Sequence, residues 1–151
     1  MADDGRIPGT EQRLVMRLLV HWRELAGGHP MPDFEDFDPW DVPELWEDSF
    51  LIDARDPSAL VFHSVGDNHI DALGRDPSTQ LVSTVGEDTL LGRAVSYAAQ
   101  VIECKQPMML GGVLADSDGN AHLYRSILMP LAHGRGLALL GAANSRIVTG
   151  E

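Results

Sequence analysis

Asp38, Asp41 and Glu44 stand three residues apart inside the run DFEDFDPWDVPELWEDSF (33–50), which holds eight carboxylates, five aromatic residues and no basic residue. In a dry pocket, two such acids could share general-acid and general-base work. The same run could offer a metal site. It could also offer a docking face on which Trp40 or Trp46 stays exposed among acids and anchors a partner carrying Arg or Lys. A plainer reading competes with all three. The prolines and the polar spacing suit short helical turns whose Asp side chains (Asp33, Asp36, Asp41) cap amides and whose charges face water. The rings of Phe34, Phe37, Trp40, Trp46 and Phe50 then fasten the segment between neighbouring elements. We prefer this structural role and keep docking as the alternative.

Other chemistry-bearing residues are sparse. Six histidines fall at 21, 29, 63, 69, 122 and 133, with no helical i, i+4 pair and no Cys-x-x-Cys, so no metal site is assigned. His63 and His122 fall on expected strands and could meet across a sheet. The segment DSDGN (116–120) starts like a calcium loop but lacks the closing Glu, and HGRG (133–136) lacks the strand–turn–helix setting of a phosphate loop. Both read as turns. The single cysteine, Cys104, cannot form an internal disulfide and reads as a buried, inert thiol. With no Gly-x-Ser-x-Gly, nucleotide loop or zinc helix, an enzyme is not the expectation and no catalytic residue is assigned.

The composition bounds the partners. The chain has 151 residues, 44% of them hydrophobic, enough for one domain with one core. Its 23 acids against 11 bases leave a net charge of −12, and only one of the bases is lysine. Binding phosphates needs clustered Lys and Arg, so nucleic acid and anionic membrane are poor partners, and a basic or neutral protein surface is a better one. No stretch approaches the ~18 apolar residues needed to span a bilayer. The start, MADDGRIPGTEQR, does not resemble a signal peptide. The cytoplasm is the expected location.

The elements that would position these residues follow from pattern. Residues 1–9 and 146–151 read as flexible ends around a single domain, 10–145. A helix is expected over 10–26, capped by Thr10 and stopped by Gly27-Gly28. Leu14, Leu18, Trp22 and Leu25 line one stripe, widened by Val15 and Leu19, while Met16 and Val20 lie beyond its edge. So broad an arc suggests two packing surfaces, with Leu14, Leu18 and Trp22 as candidates for a dimer interface. Strands are expected at 49–54 and 60–66, a short helix ends at Gly74, and Thr84 with Glu87 forms a capping box for a long helix over 84–105. Strands at 108–116, 121–131 and 136–143 close the chain. Leu123, Ile127, Met129 and Leu131 share one strand face, with Tyr124 and Leu128 on the other. Both faces of GLALLGAA (136–143) are apolar, so both faces of the sheet must be covered, and the first helix is available for the second.

Helix, hairpin, short helices, one longer helix and a three-stranded meander resemble the PAS sensory fold. HWRELAGGHPMPDFEDFDPWDVPEL, FLIDA, FHSVGDNHIDALGRD and YRSILMPLAHGRGLALLGA look like the small single-domain bacterial PAS-like proteins. Those carry a W-x-x-L-R-G-type helix end, an acidic D-x-D-P entry, a VG strand end and an LPL…G hairpin. The likeness spans about 14–145. It departs from the family at GRDPST (74–79), where relatives often read GRDLTG, and at His63, where they tend to have Arg.

The resemblance implies an α+β fold, a five-stranded antiparallel sheet with helices on one face and the N-terminal helix on the other. It also implies a possible ligand space between sheet and helices, with Phe62, Val101 and Met108 as apolar wall and Tyr97 and Tyr124 supplying hydroxyls. Family haem sites use a His that 84–105 lacks, and covalent-adduct flavin sites use a Cys that 67–82 lacks, which argues against both cofactors. The preferred reading is a stand-alone signalling module that acts by homodimerisation and protein–protein interaction, open to gating by a small ligand. A constitutive adaptor without ligand, and a small enzyme using acids of 33–48, are the alternatives.

Overall fold

The first described element, α1 (Arg6–Ala26), carries Leu14, Val15, Leu18, Leu19, Trp22 and Ala26 on one buried face, the spacing that helical periodicity requires. The computed structural model describes residues 6–148, with side chains from Arg13 onward; residues 1–5 and 149–151 of the expected flexible ends lie outside it. α1 starts ahead of Thr10, because Pro8 is tolerated in a first turn whose amides have no intrahelical acceptor. It ends where Gly27 (φ 56°) and Gly28 (φ 94°) turn left-handed.

Five strands form one antiparallel sheet: β1 (Ser49–Ala54), β2 (Val61–Val65), β3 (Met108–Ala115), β4 (Ala121–His133) and β5 (Gly136–Ile147), in the order β2-β1-β5-β4-β3. The last strand therefore sits between the first and the fourth, with Leu51 opposite Leu140 and Ile127 opposite Ala142. Both sheet faces are buried, as the two-sided apolar pattern of β5 demands. On one face Leu51, Ile127, Met129, Leu131, Ala138 and Leu140 meet α1; on the other Phe50, Ile52, Leu128, Leu139 and Ala143 meet the helices that follow β2. β5 continues to Ile147, past the strand end expected at 143 and into the supposed tail.

The connection from β2 to β3 holds α2's successors in chain order, where α2 is the single turn Pro43–Trp46: α3 (Asp67–Leu73), α4 (Leu90–Val95) and α5 (Ala98–Cys104). The expected long helix over 84–105 is thus two short ones, and the expected box at Thr84 and Glu87 is not its start. Thr89 is the N-cap of α4, accepting the Gly92 amide at 2.9 Å. Upstream, the chain crosses so close that a Cβ on Gly92 would collide with the Gly86 carbonyl. At Ser96-Tyr97 the helix breaks, with Tyr97 at φ −109°, ψ 22°. Lys105, left-handed at φ 56°, ends α5 and leaves Cys104 exposed rather than buried.

Candidate functional site

Three places hold the residues singled out by sequence. The first lies between the sheet and α4–α5. The break before α5 aims the Tyr97 phenol at β4, where its oxygen is 2.9 Å from Ser126 Oγ. Ser126 Oγ in turn donates to the Leu110 carbonyl at 2.9 Å. Since a hydroxyl has one proton, Tyr97 is the donor in the first bond and Ser126 in the second. Burial pushes the Tyr97 phenol up, assisted by nearby Tyr124. Phe62 and Val101 are fully buried in the same cluster, with Met108 packed against it. Tyr124 is buried as well, its ring over Gly112, where a Cβ would stand 3.1 Å from the phenol oxygen. Phe62, Tyr97, Val101 and Met108 therefore share one core cluster, Tyr124 is buried outside it, and the Tyr97 hydroxyl already has a partner within the chain. Ser126 was missed; its signal was a lone hydroxyl between Tyr124 and Leu128 on a buried strand face.

The second place is α1. Leu14, Leu18 and Trp22 are covered by the chain's own sheet, and Trp22 Nε1 donates to the Pro130 carbonyl at 2.8 Å. They are thus core residues, and the expectation that they form a dimer surface is corrected: broad apolar arcs look alike whichever surface they meet. Among the described side chains of α1, the large apolar ones left open are Met16 and Val20, 41% and 48% exposed, flanked by Arg13 and Arg17.

The third place is the acidic–aromatic run. Its prolines restrict it to single turns: Phe34–Asp36, Pro39–Asp41 and α2. The side-chain cap comes from Asp38, whose Oδ1 accepts the Trp40 amide at 3.0 Å, and not from Asp33 or Asp41; Val42 stands at the N-cap of α2. Asp38, Asp41 and Glu44 are all exposed. Glu44 accepts from Arg17 at 2.7 Å, and its carboxyl lies below the usual range because of its own backbone hydrogen bond and that guanidinium. Phe37 and Phe50 are buried, and Phe34 and Trp46 are half-buried. Phe34 contacts His63 edge-on, with centroids 5.0 Å apart, and His133 at a tilt, with centroids 4.3 Å apart. His63 therefore does not meet His122, because β1 and β5 separate their strands; His122 Nε2 instead bonds Asp116 Oδ2 at 2.8 Å. Asp116 also takes the amides of Asp118 and Asn120, so DSDGN is a self-satisfied turn. That bonding, His122 first, lowers Asp116 to about 2.

Trp40 is different. It is 84% exposed on a turn pinned at both sides by buried Phe37 and Val42. Beside it a groove of about 530 Å³ opens where this turn and α2 meet the end of β2 and the start of α3. Pro39, Pro43 and Trp46 supply its apolar surface, and Glu47, Ser64 and Asp67 its polar surface. Among the described residues, no group of three or more His, Cys, Asp and Glu is arranged to hold a metal ion. No described helix is long and apolar enough to cross a membrane.

A five-stranded antiparallel sheet clad by helices defines an α+β domain of the PAS type. The chain belongs to the PAS domain family, whose model matches residues 11–143; such domains are typically sensory or signalling modules. A similar solved structure is the PAS domain of an HTR-like protein from Haloarcula marismortui, 14% identical, covering 72% of this chain and 90% of that one with a TM-score of 0.44. No curated protein matches the chain in sequence.

Proposed function

We propose that this PAS domain is a signalling module that works by protein contact, pairing with a second copy and engaging a partner protein. The observation that supports this reading is the two-sidedness of α1. One face is part of the core through Leu18 and Trp22, and the other leaves Met16 and Val20 open to water. A helix so placed joins any rearrangement of the sheet to the outer surface, and a partner that prefers one arrangement shifts its population. The Tyr97 hydroxyl, already bonded to Ser126, favours the adaptor form of the reading, in which contact needs no small molecule.

Sedimentation tests it. The chain should sediment as a dimer, and Met16→Glu with Val20→Glu should give a monomer of unchanged thermal midpoint. A wild-type monomer, or a dimer indifferent to both changes, counts against the pairing. Native mass spectrometry tests the adaptor form, since a mass excess lost on denaturation would turn the reading towards a ligand sensor.

A further inference from the structure

We propose that the Trp40–Trp46 groove receives an arginine-bearing segment of the partner protein. This deepens the reading above and rests on it for the existence of a partner.

The argument begins with Trp40. Of the run's five rings it alone stands almost wholly in water, although its backbone is held on both sides. Asp38 Oδ1 takes its amide, Pro39 opens the turn, and the Asp41 and Val42 amides bond back to Asp38 and Pro39 at 2.9 and 3.1 Å. The indole is thus presented on a rigid base. Trp46 lines the same groove, steadied by the Phe37 ring at 6.2 Å. Such rings give a binding surface that loses little freedom when covered.

Charge selects the occupant. Glu47 and Asp67 line the groove, the exposed Asp38, Asp41 and Glu44 adjoin its lining residues in the chain, and no basic side chain is among the described residues that line it. Arg17 lies next to this rim but is paired with Glu44. An acidic or phosphorylated segment would be repelled, and a purely apolar one would leave the rim's charges without partners. A guanidinium suits both parts of the surface. Its flat face stacks on an indole, and its fork of donors meets a carboxylate. The net charge of −12 steers such a partner inward.

The probe is a capped Gly-Arg-Gly-Arg-Gly peptide, with its citrulline twin, neutral but nearly the same shape, as control. Titrations at low salt follow the indole N–H resonances of the full chain. Saturable binding that moves the Trp40 indole, and is weakened by about tenfold or more in Trp40→Ala, in Glu47→Gln with Asp67→Asn, and with citrulline, is expected. Trp40 is exposed, so Trp40→Ala should keep the wild-type thermal midpoint. Equal binding by wild type and Trp40→Ala, equal binding of the two peptides, or no saturable binding up to about 1 mM overturns the proposal. A dimer that ignores the peptide loses the groove and keeps the module. A monomer that binds it through Trp40 keeps the groove and loses the pairing.

Discussion

The indole Nε1 of Trp22 donates to the Pro130 carbonyl at 2.8 Å, sealing β4 beyond the last residue that β3 pairs, Leu128. Ala132, two residues on, turns its amide to Pro32 rather than to β5, so Pro130 points its missing donor and its carbonyl to the same open edge. The proline removes one unpaired group there and Trp22 satisfies the other. Trp22→Phe keeps most of the ring but leaves a buried carbonyl without its partner, so it should lower stability by about 1–3 kcal/mol. Urea unfolding measures this, and an unchanged midpoint would show that the bond contributes nothing.

His69 makes stability depend on pH. It is 2% exposed, and its Nε2 lies 2.9 Å from the Asp48 carbonyl, which can only accept, so that nitrogen carries the proton. Burial lowers its pKa from the ordinary 6.5, although the Asp48 hydrogen bond and charge pull the other way. The unfolded chain therefore takes up a proton that the folded chain resists. The contribution is complete above 6.5 and is lost as pH falls below it. Thermal midpoints should drop between about pH 7 and 5, and His69→Gln should flatten that slope.

Tyr97 predicts a spectroscopic signature. Its phenol is raised above 10 by burial, so its tyrosinate should form later than an open tyrosine's in alkaline absorbance titration. Tyr97→Phe should abolish the late component. Because Ser126 keeps its bond to Leu110, the loss in stability should stay near about 1 kcal/mol. A late component that survives the substitution would assign it elsewhere.

The true start of α4 separates two threonines. Thr89→Ala removes the oxygen that accepts the Gly92 amide and should cost about 1 kcal/mol. Thr84 lies in the Val82–Thr84 turn and bonds the Leu81 carbonyl, so Thr84→Ala leaves that cap intact and should cost less. Equal losses in chemical denaturation would place the cap wrongly.

Local pattern was enough for much of this molecule. Apolar runs bounded by turn residues located all five strands, and the two apolar faces of 136–143 required cover on both sides, which α1 and α4–α5 provide. Gly27 and Gly74 marked helix ends because the left-handed turn favours glycine. What pattern left open was which surface each apolar stripe meets. Leu14, Leu18 and Trp22 face the chain's own β4 and β5, a choice made only once β5 inserts between β1 and β4. Thr84 and Glu87 had the spacing of a capping box, but the close passage of Gly86 over Gly92 moves the helix start to Thr89. The rings at Phe37 and Trp40, three residues apart, are indistinguishable in composition; one is 7% exposed and the other 84%. Burial is a property of the assembled sheet and helices, so residue type and spacing could name the candidates for contact while only the tertiary structure decided which of them remained free.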